Sequence, residues 1–199
     1  MHPQPIKKSI DKLARLPSVG PKSAERMIYY LLQAPPQELR ELAQSLGELQ
    51  NNISQCSGCG NFSETNPCEI CSDSRRDCRI LCLVTKPQDI VVLEKTHAFN
   101  GLYLILNFNL HPLEMTPAEN ILVRKLLDRI KTENISEVIL AFNPDMNGET
   151  ASIFLSGLLK KIEGLKISRL ARGLPSGADV EYADELTLES ALKNRQNIS

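Results

Sequence analysis

Cys56 and Cys59, then Cys68 and Cys71, form two Cys-x-x-Cys pairs separated by eight residues, and nothing else in the chain restricts its fold so tightly. Two such knuckles at this distance can wrap four thiolates tetrahedrally around one ion, a geometry that zinc accepts without redox chemistry. Gly58 and Gly60 flank Cys59, where the turn needs backbone freedom and amides directed at sulfur. Pro67 stiffens the approach to the second pair. Four protein ligands leave no open coordination position, so the expected Zn²⁺ is structural rather than hydrolytic. A disulfide pair and an iron–sulfur cluster are the alternatives; the common cluster motifs space their cysteines differently. Of the other cysteines, Cys82 falls in an expected strand as a small buried hydrophobe. Cys78 is a competing ligand at a poorer spacing.

With four of six cysteines in knuckles, the chain does not read as a secreted disulfide scaffold, and a reducing cytoplasm is the expected compartment. The 199 residues, 42% hydrophobic, suffice for one good core or a core with small satellites. No apolar run reaches about 18 residues, so no membrane span is expected. Met1-His2-Pro3-Gln4-Pro5 lacks the apolar stretch of an export signal. A net charge of −1 excludes a wholly basic nucleic-acid protein, but the charge is unevenly spread. Residues 1–26 hold Lys7, Lys8, Lys12, Arg15, Lys22 and Arg26 against Asp11 and Glu25, a surplus of four, which leaves −5 on the remainder. A basic end on an acidic body can present a phosphate-binding face; an ordinary solvated helix face is the plainer alternative.

Ile6, Ile10, Leu13 and Leu16 recur at helical spacing, and Leu16-Pro17-Ser18-Val19-Gly20 breaks that helix. Pro21 suits the first turn of a second helix, whose expected inner stripe is Ala24, Met27, Ile28, Leu31 and Leu32. Pro35-Pro36 ends it. The segment from Leu16 to Ala24 resembles the helix-hairpin-helix motif of DNA-binding proteins that do not read sequence. A glycine turn leaves amides at a helix N-terminus free to meet a phosphate, where the helix dipole adds attraction. Lys22 and Arg26, four apart, share one helix face and are the candidate DNA contacts. The familiar hairpin has glycine at both turn positions, and Ser18 takes the first here.

Leu39, Leu42, Leu46, Leu49 and Ile53 form a narrow stripe on a third helix, one that can pack on the first two or meet another subunit. Arg75, Arg76 and Arg79 follow the knuckles as a second phosphate contact or a solvated linker. Four short buried strands are expected at Ile80–Val84, Leu102–Leu106, Val138–Phe142 and Lys166–Leu170. A helix beginning at Thr116-Pro117-Ala118-Glu119 carries Leu122, Val123, Leu126, Leu127 and Ile130 inward. Gln88–Thr96 is ambiguous, since Ile90-Val91-Val92 favours a strand while the next strand asks for a crossover. Strands alternating with helices imply a mainly parallel sheet covered on both faces. Polar residues should gather at the carboxyl ends of its strands, at Thr85-Lys86, Asn107–Asn109 and Asn143–Glu149.

Taken together, these segments resemble the RecR family of bacterial recombination mediators over nearly the whole length. The resemblance rests on residues 16–27, the four cysteines, Glu137–Pro144, Gly148-Glu149, Ser168–Gly177 and Tyr182–Leu188, in that order. It implies an α/β multidomain protein: a helix-hairpin-helix region (1–54), a small four-cysteine zinc finger (55–79), a Toprim-type mainly parallel α/β domain (80–172) and a C-terminal oligomerisation segment (173–199). It further implies a non-enzymatic mediator in the cytoplasm, associated with the nucleoid, that binds DNA without reading sequence. Such proteins form dimer-to-tetramer rings or clamps and act with RecO-like or RecF-like partners to load RecA on gapped DNA. The Toprim surface becomes the partner face, with Asp145 and Glu149 as partner-binding candidates.

Catalytic Toprim enzymes hold Mg²⁺ with a glutamate after the first strand and clustered carboxylates after a later one. Thr85-Lys86 stands at the first place, and Asn147 removes a charge from the second, leaving Asp145 and Glu149. The loop Leu110–Leu113 is also less glycine-rich than its family counterpart. His97 and His111 have no catalytic neighbour in sequence, so no catalytic residue is assigned. The alternative function is a Mg²⁺-dependent Toprim phosphotransfer enzyme of nuclease or primase type.

Overall fold

The computed structural model describes residues 2–106 and 121–197, in two compact units, Met1–Ser54 and Gln55–Ser199. The expected loop Asn107–Asn109, the stretch Leu110–Leu113 with His111, and the helix start Thr116–Glu119 lie outside the described residues.

The first unit contains α1 (Gln4–Leu13), α2 (Pro21–Gln33) and α3 (Pro36–Asn52), each with proline in its first turn. Ile10 and Ala24 are buried, and Ile28 and Leu31 are half-buried behind Ala24. Met27 and Leu32, expected inside, are 44% and 57% exposed. A short helix with one main neighbour buries only the row at i, i+4 and i+7, so the inner stripe narrows to Ala24, Ile28 and Leu31. No residue of α3 is buried, and Leu39, Leu42, Leu46 and Leu49 are all exposed. The Tyr30 hydroxyl donates to Glu38 Oε1 at 3.0 Å and ties α2 to α3.

β1 (Ser54–Gln55), which begins at the last residue of the first unit, and β2 (Phe62–Ser63) flank the first knuckle, and α4 (Glu69–Ser72) carries the second. There follow β3 (Asp77–Val84), α5 (Pro87–Glu94), β4 (Gly101–Ile105), α6 (Ile121–Thr132), β5 (Glu137–Leu140), α7 (Met146–Leu159) and β6 (Lys166–Arg169). A single 3-10 turn at Val180–Tyr182 leads to α8 (Glu185–Lys193). The four long-range strands form a parallel sheet in the order β4-β3-β5-β6, with Leu81 opposite Leu102 and Val138, and Val138 opposite Ile167.

The period of two along these strands sorts their side chains onto two faces. Leu81, Leu83, Leu104, Val138 and Leu140 pack against Val123, Leu126 and Ile130 of α6 or Ala151, Leu155 and Leu159 of α7 in one layer. On the other face, Cys82, Val84 and Tyr103 pack with Ile90 of α5 and with Cys56, Cys59 and Cys68. The knuckles therefore share the cover of this face with α5. The ambiguous stretch is a helix, α5, despite its β-branched run. Parallel pairing of β3 with β4 demands a crossover, and only Ile90 is needed on the sheet while Val91 and Val92 stay exposed. Cys82 is buried as expected, and burial pushes its thiol up to about 12.

Candidate metal centre and nucleic-acid interface

The Sγ atoms of Cys56, Cys59, Cys68 and Cys71 all lie within 4.8 Å of one another, with Cys59 and Cys68 3.5 Å apart. Four sulfurs on a tetrahedral zinc, each about 2.3 Å from the metal, stand about 3.8 Å apart, so the quartet already has the required dimensions. Cys56, Cys59 and Cys68 are buried and Cys71 is half-buried. The backbone supplies the donors that a thiolate needs: Cys68 N–H donates to Cys56 Sγ at 3.3 Å, and Asn61 N–H to Cys59 Sγ at 3.4 Å. A Cβ on Gly58 would lie 3.2 Å from Cys71 Sγ, and Gly60 has φ +81°, which accounts for both glycines beside Cys59. Hydrogen bonding with Cys71 draws the Cys59 thiol down to about 5 against the effect of burial, and the same contact pushes Cys71 up. The donor set fits a structural zinc ion. Cys78 is exposed and stands apart from the quartet.

In the first unit, α1 ends in a turn tied by Leu16 N–H to Leu13 O (3.0 Å) and Val19 N–H to Leu16 O (3.1 Å). Ser18 has φ +63°, the left-handed conformation for which the usual glycine is suited. Gly20 then caps α2 in an extended conformation with no side-chain cap, and the first intrahelical bond is Ala24 N–H to Gly20 O at 2.9 Å. Pro21 has no N–H, so the backbone donors of Lys22 and Ser23 form the positive end of the helix. Lys22 and Arg26 are exposed one turn apart on α2. Among the described residues, no ion pair engages Lys7, Lys8, Lys12, Arg15, Lys22 or Arg26, while Glu25 is paired with His2 at 3.2 Å.

The loops at the carboxyl ends of the sheet have a different chemistry. Asp89, in the first turn of α5, folds back to accept from Thr85 Oγ1 (2.9 Å), Thr85 N–H (3.2 Å) and Lys86 N–H (3.0 Å). Asp145 caps α7 by accepting from Gly148 N–H at 2.8 Å. Glu149 is paired with Arg172 and lies 3.9 Å from Arg169. Two guanidinium groups, of Arg169 and Arg172, thus face this carboxylate. Among the described residues, the cysteine quartet is the only close group of three or more metal-ligating side chains.

Family models match in the same order as these elements: the RecR helix-hairpin-helix over residues 6–49, the RecR zinc finger domain of four cysteines over 53–73, the Toprim domain over 79–171, and the RecR C-terminal region over 173–196. The chain is 45% identical to "Recombination protein RecR" of Pelotomaculum thermopropionicum over 195 residues, covering 98% of this chain and 97% of that one. It is 44% identical to the protein of that name from Desulfitobacterium hafniense and 43% identical to that from Moorella thermoacetica, each over 99% of this chain and 98% of theirs. The chain belongs to the RecR family.

Several residues that organise this RecR-family chain carry no local signal. Arg76 is one of three arginines whose spacing alone assigns no role. It pairs with Glu94 and donates to Gly101 O at 3.0 Å, so it serves the fold, whereas Arg75 and Arg79 stay exposed beside Asp73 and Asp77. Arg129 is buried on α6, and although it pairs with the exposed Glu133 four residues on, its inward course is set by the Tyr103 carbonyl 26 residues away. A partner 18 or more residues away, as Glu94 is from Arg76, leaves no spacing to detect. His97, which carried no catalytic expectation, is exposed with φ +53° just beyond α5.

Proposed function

We propose that this protein is a non-enzymatic recombination mediator that binds DNA through the α1–α2 hairpin, assembles as a ring or clamp, and acts with RecO-like or RecF-like partners in loading RecA on gapped strands. The single observation carrying the DNA contact is the exposed, unpaired basic row of the first unit beside the uncapped start of α2. Phosphates meeting Lys22, Arg26 and the first amides of that helix would satisfy donors that the fold leaves open. No base-reading element is evident among these residues, so recognition should be independent of sequence. The exposed leucines of α3 and the C-terminal segment are the proposed subunit contacts, and the carboxyl-end loops of the sheet are the proposed partner face. Asp145 and Glu149 would there act less as free carboxylates than as the cap and ion pair that shape the loop. Commitment of Asp89, Asp145 and Glu149 to such partners supports a non-catalytic role over Mg²⁺-dependent phosphotransfer. The relatives' printed name, with matching coverage, supports the role in recombination. No helix among the described residues is long and apolar enough to cross a membrane. The proposed place of work is the cytoplasmic nucleoid.

The test is fluorescence anisotropy with labelled DNA of two unrelated sequences across a salt series. Both sequences should bind alike. Lys22→Ala with Arg26→Ala should weaken binding at least about tenfold and lower the salt slope by about 1.5–2, since each neutralised phosphate contributes about 0.9. A folded double variant with unchanged affinity and slope would refute this assignment.

A further inference from the structure

We propose that Lys125 and Arg129 of α6 are positioning residues of the zinc centre, holding the first knuckle in its metal-binding form from the α/β body. Lys125 Nζ donates to the Ser57 carbonyl at 2.6 Å, and Arg129 Nη1 approaches the Gly58 carbonyl at 3.4 Å. These are the two residues between Cys56 and Cys59, and their partners lie 68 and 71 positions further along the chain. The spacing of four puts both cations on one face of α6, one turn apart, so a single helix addresses successive peptides of the knuckle.

Arg129 is fixed for this purpose. Its Nε meets both oxygens of Glu133 at 2.8 Å, and Nη1 also donates to Tyr103 O at 2.8 Å on β4. Two residues along β4, Ile105 N–H donates to Cys59 O at 2.9 Å. Carbonyls of Ser57, Gly58 and Cys59 are therefore all held from outside the knuckle. Orienting those peptides determines where the neighbouring amides and thiolates point. A zinc ion with four thiolates also carries a net charge of about −2, which cations at the knuckle offset. Groups that orient metal ligands from behind commonly change metal affinity by about 10- to 100-fold when removed.

The test uses the full-length zinc-loaded protein under reducing conditions, with zinc affinity measured by competition against a chromogenic chelator. Lys125→Met keeps the aliphatic stem and removes the donor; it should lower affinity about tenfold or more, with Lys125→Arg restoring most of it. Lys131→Met, an exposed charge on the same helix, serves as the control and should have little effect. Cobalt substitution supplies a second readout: the visible bands of the tetrahedral thiolate site should shift or broaden in Lys125→Met and return in Lys125→Arg. Wild-type affinity and an unchanged cobalt spectrum in Lys125→Met would overturn the proposal. So would equal loss in Lys131→Met, which would assign the effect to general charge or helix stability.

Discussion

Glu94 accepts from two donors that reach it from different elements. Arg76 comes from the segment entering β3, and Tyr103 lies on β4 and donates its hydroxyl to Glu94 Oε1 at 2.7 Å. Partial burial acts to raise the Glu94 pKa, but these two hydrogen bonds and the guanidinium charge outweigh it and hold the carboxyl below its ordinary value. A depressed carboxylate stabilises the fold above its unfolded pKa, and that contribution is lost as pH falls through the folded value. Glu94→Gln should therefore cost about 2 kcal/mol near neutral pH. The deficit relative to wild type should shrink as pH drops below about 4.5. Chemical denaturation at a series of pH values reads this directly, and a deficit constant into acid would exclude the carboxylate as its source. The contrast with the metal ligands explains what single residues reveal in sequence. Cysteines three apart announce a shared ion, whereas Arg76 stands among three arginines with nothing to mark it as the internal one.

At the scale of elements, the parallel sheet was legible because each strand pairs short apolar runs with a helical crossover. β3, β4, β5 and β6 lie where the apolar runs placed them, to within a few residues. The inner face of α6 likewise follows its apolar spacing. α5 was not legible, since the preference of Ile90-Val91-Val92 for strands competed with a topological demand that only pairing across the sheet reveals. α3 is a third case: its stripe is plain in sequence, but among the described residues Leu39, Leu42, Leu46 and Leu49 all stay exposed. The unit contains a cleft of about 880 Å³ lined in part by Leu13, Met27, Tyr30 and Leu42, so α3 does not close against α1 and α2. A second copy presenting the same stripe is the proposed occupant, by the geometry of a two-fold contact. Leu42→Glu with Leu46→Glu should lower the molar mass seen by light scattering at micromolar concentration, with helical circular dichroism retained. An unaltered mass in the folded variant would remove α3 from the subunit contact.

Over the whole molecule, the zinc knuckles belong to the core of the second unit. Cys56, Cys59 and Cys68 share a buried cluster with Cys82, Val84, Ile90, Tyr103 and Ala141, while the first unit has its own buried residues in Ile10 and Ala24. This arrangement was not legible in the sequence, because knuckle spacing specifies the ion and says nothing of the surface the knuckle covers. It has a consequence for metal removal. Structural zinc sites in small peptides contribute on the order of 10 kcal/mol, comparable with the entire stability of an ordinary domain, about 5–15 kcal/mol. Stripping the metal with a chelator under reducing conditions should therefore loosen β3 and β4 together with the knuckles, while α1 and α2 keep their own stability. Amide exchange followed by mass spectrometry should show protection at Cys82 and Tyr103 falling by about a hundredfold or more, with peptides from α2 little changed. A detachable finger would give the opposite pattern: exchange confined to residues 56–71 and an intact sheet. Confirmed zinc loss with full protection in β3 and β4 would show that the sheet does not depend on the metal-bound knuckles for cover.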